Sequence, residues 1–122
     1  MTQPLVLLLY EKLLPGTQLV NRLQDLGWRV QTLHEASALA RMAEELKPML
    51  VMADLVAARG SISDALGHLR RNTSTAHIPV IAFSTDESLH SAAARSGANL
   101  VVGDTALLQH LDQLIDQALT DF

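Results

Sequence analysis

Short apolar runs alternate with amphipathic stretches along the chain of 122 residues. The runs Leu5–Tyr10 and Met49–Ala53 are apolar throughout, as expected for strands that are buried on both faces of a sheet. Three further runs, Trp28–Leu33, Ile78–Phe83 and Asn99–Val102, also predict strands. Because an amphipathic stretch follows each run, the pattern predicts five successive β-α units.

Proline and glycine mark the ends of the predicted helices. Pro15–Thr17 opens the first helix and Gly27 stops it. The second helix begins near Ser37 and ends at Pro48. The other three helices have the apolar or small positions Ile62, Ala65, Leu66 and Leu69; Leu89, Ala92, Ala93 and Ser96; and Leu107, Leu108, Leu111, Leu114, Ile115, Ala118 and Leu119.

Strands that alternate with helices predict a parallel sheet with helices on both faces. Five such units in a small domain favour the flavodoxin-like (βα)5 fold, an α/β architecture with five parallel strands in the order 2-1-3-4-5. A chain of 122 residues fits one domain, 1–122.

Charge and composition narrow the class of partner. The net charge is −4 and the longest basic cluster is Arg70-Arg71, so we expect no nucleic-acid surface. The chain has no cysteine, which fits a reducing compartment. No apolar stretch approaches the ~20 residues of a membrane span, and no basic segment precedes the first apolar run as in a signal peptide. We therefore expect a cytoplasmic protein without a membrane partner.

Asp54 is the main candidate for chemistry. It closes the third apolar run, and the carboxyl ends of parallel strands are where ligand crevices of α/β sheets form. Ser84 follows the fourth run and Asp104 the fifth.

Three stretches resemble the receiver domain of bacterial two-component response regulators: Pro48–Leu55, Ile78–Ser84 and Ser96–Asn99. The resemblance covers nearly the whole chain. It implies that Asp54 stands at the phospho-acceptor position and Ser84 at the position of the switch hydroxyl.

The metal-binding positions of that family are altered here. Receiver domains that accept phosphate have two adjacent acids after the first strand, which hold Mg²⁺, and the matching positions are Tyr10 and Glu11. A neutral phenol does not supply the negative charge that attracts Mg²⁺. We therefore expect at most a weak Mg²⁺ site, with Glu11 and Asp54 as ligands, and no other cofactor.

The cation that the family places after the fifth strand is also replaced. Asp104-Thr105 matches the family's lysine and proline at that point, and Val101 matches the aromatic switch residue. Phosphoryl transfer depends on positioning and on neutralising charge, so an anion in place of the lysine opposes it. If Glu11, Asp54 and Asp104 converge, their repulsion raises the pKa of at least one carboxyl group.

Each of these residues also has an ordinary structural interpretation. Asp54 can be a polar strand end that accepts hydrogen bonds from loop amides. Ser84-Thr85-Asp86-Glu87 matches a capping box, and Asp104 stands where the last helix needs an N-cap. Lys12 and Arg59 are predicted in loops at the same sheet edge, either solvated or as counter-ions of Asp54.

The leading hypothesis is a degenerate receiver, or pseudo-receiver, that serves signalling as a protein-interaction module and is not an enzyme. The resemblance implies a histidine kinase or a downstream effector as partner, with docking or homodimerisation through Leu89–Leu119. A second hypothesis is a single-domain response regulator that accepts phosphate at Asp54. A third is a flavodoxin-like domain that binds a small ligand or is an enzyme.

Overall fold

The computed structural model describes residues 4–10, 13–55, 62–84 and 86–120. The elements are β1 (Leu5–Leu9), α1 (Leu13–Asp25), β2 (Arg29–Leu33), α2 (Leu39–Leu46), β3 (Leu50–Asp54), α3 (Ile62–Arg71), β4 (Val80–Phe83), α4 (His90–Ser96), β5 (Leu100–Val102), α5 (Asp104–Gln109) and α6 (Leu111–Thr120). Single 3₁₀ turns at Ala36–Ala38 and Glu87–Leu89 lead into α2 and α4.

The five strands form one parallel sheet in the order β2-β1-β3-β4-β5, which confirms the predicted topology. The register places Leu9 opposite Ala53 and Asp54 opposite Phe83. The carboxyl ends of β1, β3 and β4 therefore lie side by side in the centre of the sheet.

The apolar runs are continuous because both faces of the sheet are covered. Leu7, Leu9, Val51 and Ala53 pack with α2 and α3, whereas alternate residues such as Leu8 pack with α1, α5 and α6. Residues 6–9 and 50–53 are fully buried, so neither face of these strands has a polar position.

The boundaries of several elements differ from the predicted ones. The first helix begins at Leu13, so that Pro15 falls in its first turn, where the backbone N–H groups have no intrahelical acceptor. The second helix ends at Leu46, and Lys47 takes a left-handed conformation with φ 49° before Pro48. Met49, which was predicted to start the third strand, precedes β3 and is 52% exposed.

The predicted last helix is two helices in the structure. Asp104–Gln109 and Leu111–Thr120 are separated at His110, which has the non-helical angles φ −123° and ψ 31°. His110 N donates to Ala106 O at 3.0 Å and Leu114 N donates to His110 O at 2.9 Å, so the chain continues in the same direction. Neither glycine nor proline marks this break, and periodicity alone did not show it. No helix in the described ranges is long and apolar enough to cross a membrane.

Candidate functional site

Asp54 is the last residue of β3 and is 4% exposed. Leu55 N donates to Phe83 O at 3.0 Å, which continues the ladder between β3 and β4 one residue beyond Asp54. Because Leu9 pairs with Ala53, positions 10 and 54 are neighbours at the carboxyl edge. The structure thus places Asp54 in the middle of this edge, between the ends of β1 and β4.

Tyr10 directly follows β1 and is engaged in packing. Its N donates to Leu33 O at 3.0 Å, and its carbonyl oxygen accepts a hydrogen bond from His34 Nδ1 at 2.9 Å. The rings of Tyr10 and His34 meet edge to face, with centroids 5.1 Å apart. On the other side the Tyr10 ring lies against Gly16 of α1. The Tyr10 side chain is therefore a wedge between α1 and the end of β2.

Four residues that the sequence analysis singled out, Glu11, Lys12, Arg59 and Thr85, lie outside the described residues. The expectations that Glu11 binds Mg²⁺ with Asp54 and that Lys12 or Arg59 neutralises Asp54 therefore stay predictions. Among the described residues, no group of three or more His, Cys, Asp or Glu side chains is arranged to hold a metal ion.

Ser84 follows β4 at the same edge and is 1% exposed. Its N donates to Val102 O at 3.1 Å, which ties it to β5. Its Oγ accepts a hydrogen bond from Asp86 N at 3.0 Å, and its carbonyl oxygen is 3.1 Å from His90 Nε2, which donates to it. Ser84 therefore joins the sheet edge to the first residue of α4.

The predicted capping box at Ser84 is wrong in its register. Asp86 caps the 3₁₀ turn at Glu87–Leu89 instead. Its Oδ1 accepts hydrogen bonds from Ser88 N at 3.0 Å and from Ser88 Oγ at 2.6 Å. The 3₁₀ turn at Glu87–Leu89 precedes α4, so the helical segment starts later than a box on Ser84 requires. The Ser88 hydrogen bonds, with a smaller contribution from nearby His90, lower the pKa of Asp86.

Asp104 is the first residue of α5, and not its N-cap as predicted. The N-cap is Gly103, which is in extended conformation with φ −78° and ψ 158° and has no side chain to cap the helix. Asp104 is half-buried, with Oδ1 fully buried. A carboxylate in the first turn is favourable for the helix dipole, which gives this residue a structural role.

The structure therefore brings Asp54, Ser84 and Asp104 to the carboxyl ends of three neighbouring strands, β3, β4 and β5. Two of the three are carboxylates. The resemblance to receiver domains predicts a lysine after β5, and the residue there is Asp104. The arrangement resembles a receiver site in position and differs from it in charge.

The sequence analysis missed two residues that shape this edge, His34 and His90. Each is a single histidine outside any motif, and each donates to a backbone carbonyl, of Tyr10 and of Ser84 respectively. Only their positions directly after β2 and at the start of α4 could have pointed to them.

No protein-family model matches the chain, and no curated protein sequence matches it either. Solved structures do match, and several of them are receiver domains. The receiver domain of a sensor histidine kinase from Pseudomonas aeruginosa PAO1, crystallised with magnesium in its active-site cleft, is 17% identical with a TM-score of 0.88, over 97% of this chain and 98% of that one. The receiver domain of a histidine kinase from Syntrophus aciditrophicus is 15% identical with a TM-score of 0.82, over 97% and 91%.

A third match is the BeF3-activated N-terminal receiver domain of RstA from Klebsiella pneumoniae, which is 15% identical with a TM-score of 0.82, over 95% of this chain and 98% of that one. At these identities the likeness concerns the fold. The chain has the fold of a receiver domain, as the resemblance implied.

Proposed function

We propose that the chain is an atypical receiver that serves signalling as a protein-interaction module, without ordinary Mg²⁺-dependent phosphorylation. The observation that carries the proposal is the placement of Asp104. This carboxylate lies two residues after the end of β5, at the sheet edge that Asp54 and Ser84 share. It puts a negative charge where a receiver site needs a positive one.

The negative charge of Asp104 matters most when Asp54 is phosphorylated. An acyl phosphate on Asp54 would carry a charge of about −2 in place of the carboxylate's −1, at an edge that already holds Asp104. Such a site works by neutralising that charge with preorganised cations. Asp54 is nearly buried, so water screens the added charge less than at an exposed site. The expected result is a high free energy for the phosphorylated form.

The environment of Tyr10 supports the same conclusion. The phenol replaces a carboxylate ligand, and its ring is held by His34 and by the backbone of α1 at Gly16. Of the positions 10, 11 and 54, to which the resemblance assigns Mg²⁺ binding, the one that has a carboxylate among the described residues is Asp54. A weak Mg²⁺ site would then depend on Glu11 as the second carboxylate.

The proposed partners are signalling proteins, either a histidine kinase or a downstream effector, in the cytoplasm. The solved structures with this fold include receiver domains of sensor histidine kinases. We propose no catalytic activity of the chain itself.

The region Leu89–Leu119 stays the predicted docking surface. Its described large apolar side chains, such as Leu100, Val102 and Leu108, are half-buried or buried. Among the described residues, the exposed large apolar side chains are Leu26, Leu46 and Met49, which lie outside this region. Docking at Leu89–Leu119 would therefore depend on shape and polar contacts more than on an exposed apolar patch.

The test is phosphorylation of the purified protein. We would incubate it with acetyl phosphate and Mg²⁺ and record the intact mass, beside Asp54→Asn treated in the same way. The proposal expects no added phosphoryl group in either protein, with circular dichroism showing that both are folded. One phosphoryl group on the wild type that is absent from Asp54→Asn would contradict it.

A second candidate function is that of a phosphorylatable regulator. It is favoured by the buried Ser84 residue, which directly follows the strand next to Asp54, as the switch hydroxyl does in a working receiver. The variant Asp104→Lys separates the two candidates. If it becomes labelled while the wild type does not, Asp104 is the block and the rest of the site is sound. If both are labelled, the chain is a working regulator.

A further inference from the structure

We propose that a second copy of the chain docks on the α1–α6 seam, the surface formed by α1, the turn that follows it at residues 26–28, α5 and α6. Two open depressions follow each other along this seam. One, of about 250 Å³, includes Arg22 and Leu108 in its lining. The other, of about 170 Å³, includes Leu26, Asp112 and Asp116.

The depression that Leu26 lines contains an apolar side chain that is exposed to solvent. Leu26 is 45% exposed and lies beside Trp28, which belongs to the core on this face of the sheet. Among the described residues, Leu26 is one of three large apolar side chains that are exposed to solvent. Covering it removes apolar area from water, which favours association.

The charges of the seam are separated along its length. Arg22 lies in the depression nearer the carboxyl edge of the sheet, and Asp112 and Asp116 lie in the one nearer the amino edge. α1 follows β1, and α5 and α6 together follow β5, so these segments run from the carboxyl edge of the parallel sheet back to the amino edge. Within the described part of the chain, none of these three side chains forms an ion pair.

This pattern is complementary to itself under a two-fold rotation. An axis in the interface and perpendicular to the helices places the Arg22 depression of one copy on the Asp112–Asp116 depression of the other. The contact then occurs twice, as in any isologous dimer. Leu26 of each copy is covered at the same time. Exposed charge pairs contribute little each, so their main effect is to select this orientation.

The two signs of charge favour a second copy over a purely basic partner. A basic segment would match Asp112 and Asp116 and would be repelled by Arg22 one helical turn above Leu26. A reversed copy supplies an acidic pair to Arg22 and an arginine to the acidic pair. The inference does not depend on whether Asp54 is phosphorylated.

The experiment is a charge exchange followed by sedimentation velocity over a concentration series. Wild type is expected to dimerise. Arg22→Glu and Asp116→Arg should each raise the dissociation constant of the dimer at least about tenfold, equal to about 1.4 kcal/mol. The double variant Arg22→Glu/Asp116→Arg restores the opposite charges and should recover most of the loss. Leu26→Ala should also weaken the dimer, because it removes the apolar side chain that association covers.

The matched control is Arg41→Glu, which makes the same charge change at an exposed position of α2, on the other face of the sheet. It should leave the dissociation constant unchanged. Wild type that stays monomeric throughout the series overturns the proposal and leaves the seam to a different protein. A dimer that neither single variant weakens, or that the double variant does not restore, also overturns it.

Discussion

The ring of Tyr10 fills the space in which a side chain at position 16 would have to lie. An added Cβ at Gly16 would overlap the Tyr10 ring carbons. Tyr10 and the glycine in the first turn of α1 therefore form one packing unit. The side chain at position 10 therefore limits which residue α1 can have at position 16.

Replacing Gly16 with alanine should destabilise the protein by about 1–3 kcal/mol, because the tyrosine ring has to move. The gain in helix propensity from alanine is at most ~1 kcal/mol and acts in the opposite direction. Overlap with a ring that His34 also holds should therefore prevail. Urea unfolding followed by circular dichroism measures the difference.

The control for this prediction is the Tyr10→Ala background, in which the space is empty. There Gly16→Ala should be neutral or stabilising, so the two substitutions should be strongly non-additive. Equal effects of Gly16→Ala in both backgrounds would show that the ring is not the cause.

Arg70→Lys should cost about 2–4 kcal/mol, since Arg70 connects α3 to two other segments of the chain. Its guanidinium donates to Gly97 O at 2.7 and 3.0 Å, to Ala76 O at 2.8 Å, to Ile78 O at 2.7 Å and to Asn99 Oδ1 at 2.7 Å. Burial lowers its pKa, and the charge is kept in place by these acceptors. A lysine has one ammonium group and cannot reach all of them.

The adjacent Arg71 is a matched control for Arg70. It is exposed, and its Nη2 lies 3.3 Å from His68 Nδ1 in a contact within α3. Arg71→Lys should change the free energy of unfolding by no more than about 0.5 kcal/mol. Equal losses for the two variants in chemical denaturation would argue against a special role of Arg70.

Thr75→Val should destabilise the protein by about 1–3 kcal/mol. The Thr75 side chain is buried, and its Oγ1 donates to Leu69 O at 2.7 Å near the end of α3. Valine keeps the shape and leaves that carbonyl without this donor. Thr73→Val, at an exposed position two residues away, is the comparison and should be close to neutral. Thermal unfolding of both variants provides the measurement.

Asp86 should make the stability of the protein depend on pH in the acid range. Hydrogen bonds from Ser88 lower its pKa from the ordinary value of 3.8, so the unfolded chain takes up the proton more readily than the folded one. The contribution is therefore present above pH 3.8 and is lost as the pH falls through the pKa of the folded state. Asp86→Asn keeps a capping oxygen and removes the titration.

Melting temperatures of wild type and Asp86→Asn over a pH series test this expectation. The difference between the two proteins should shrink towards acid pH. A constant difference for Asp86→Asn would count against the proposed linkage.

Much of the fold could be predicted from local patterns. The continuous apolar runs at Leu5–Tyr10 and Met49–Ala53 indicated strands with two buried faces, and five β-α units indicated the strand order that the sheet has. The placement of Asp54 and Ser84 at one edge followed from the same pattern. Helix starts were predicted less well, because Ser84, Asp86 and Asp104 are all residue types that cap helices, and backbone geometry selects among them.

The sequence by itself determined the alternation of buried and exposed positions, and with it the receiver-like sheet and the acidic residues at its carboxyl edge. Only the tertiary structure decided that Tyr10 packs on Gly16 and that Arg70 meets Gly97, 27 residues further along the chain. Periodicity is a property of neighbouring residues, so it reports which face of an element is buried. Contacts between distant residues depend on how whole elements pack together, and no local pattern contains that information.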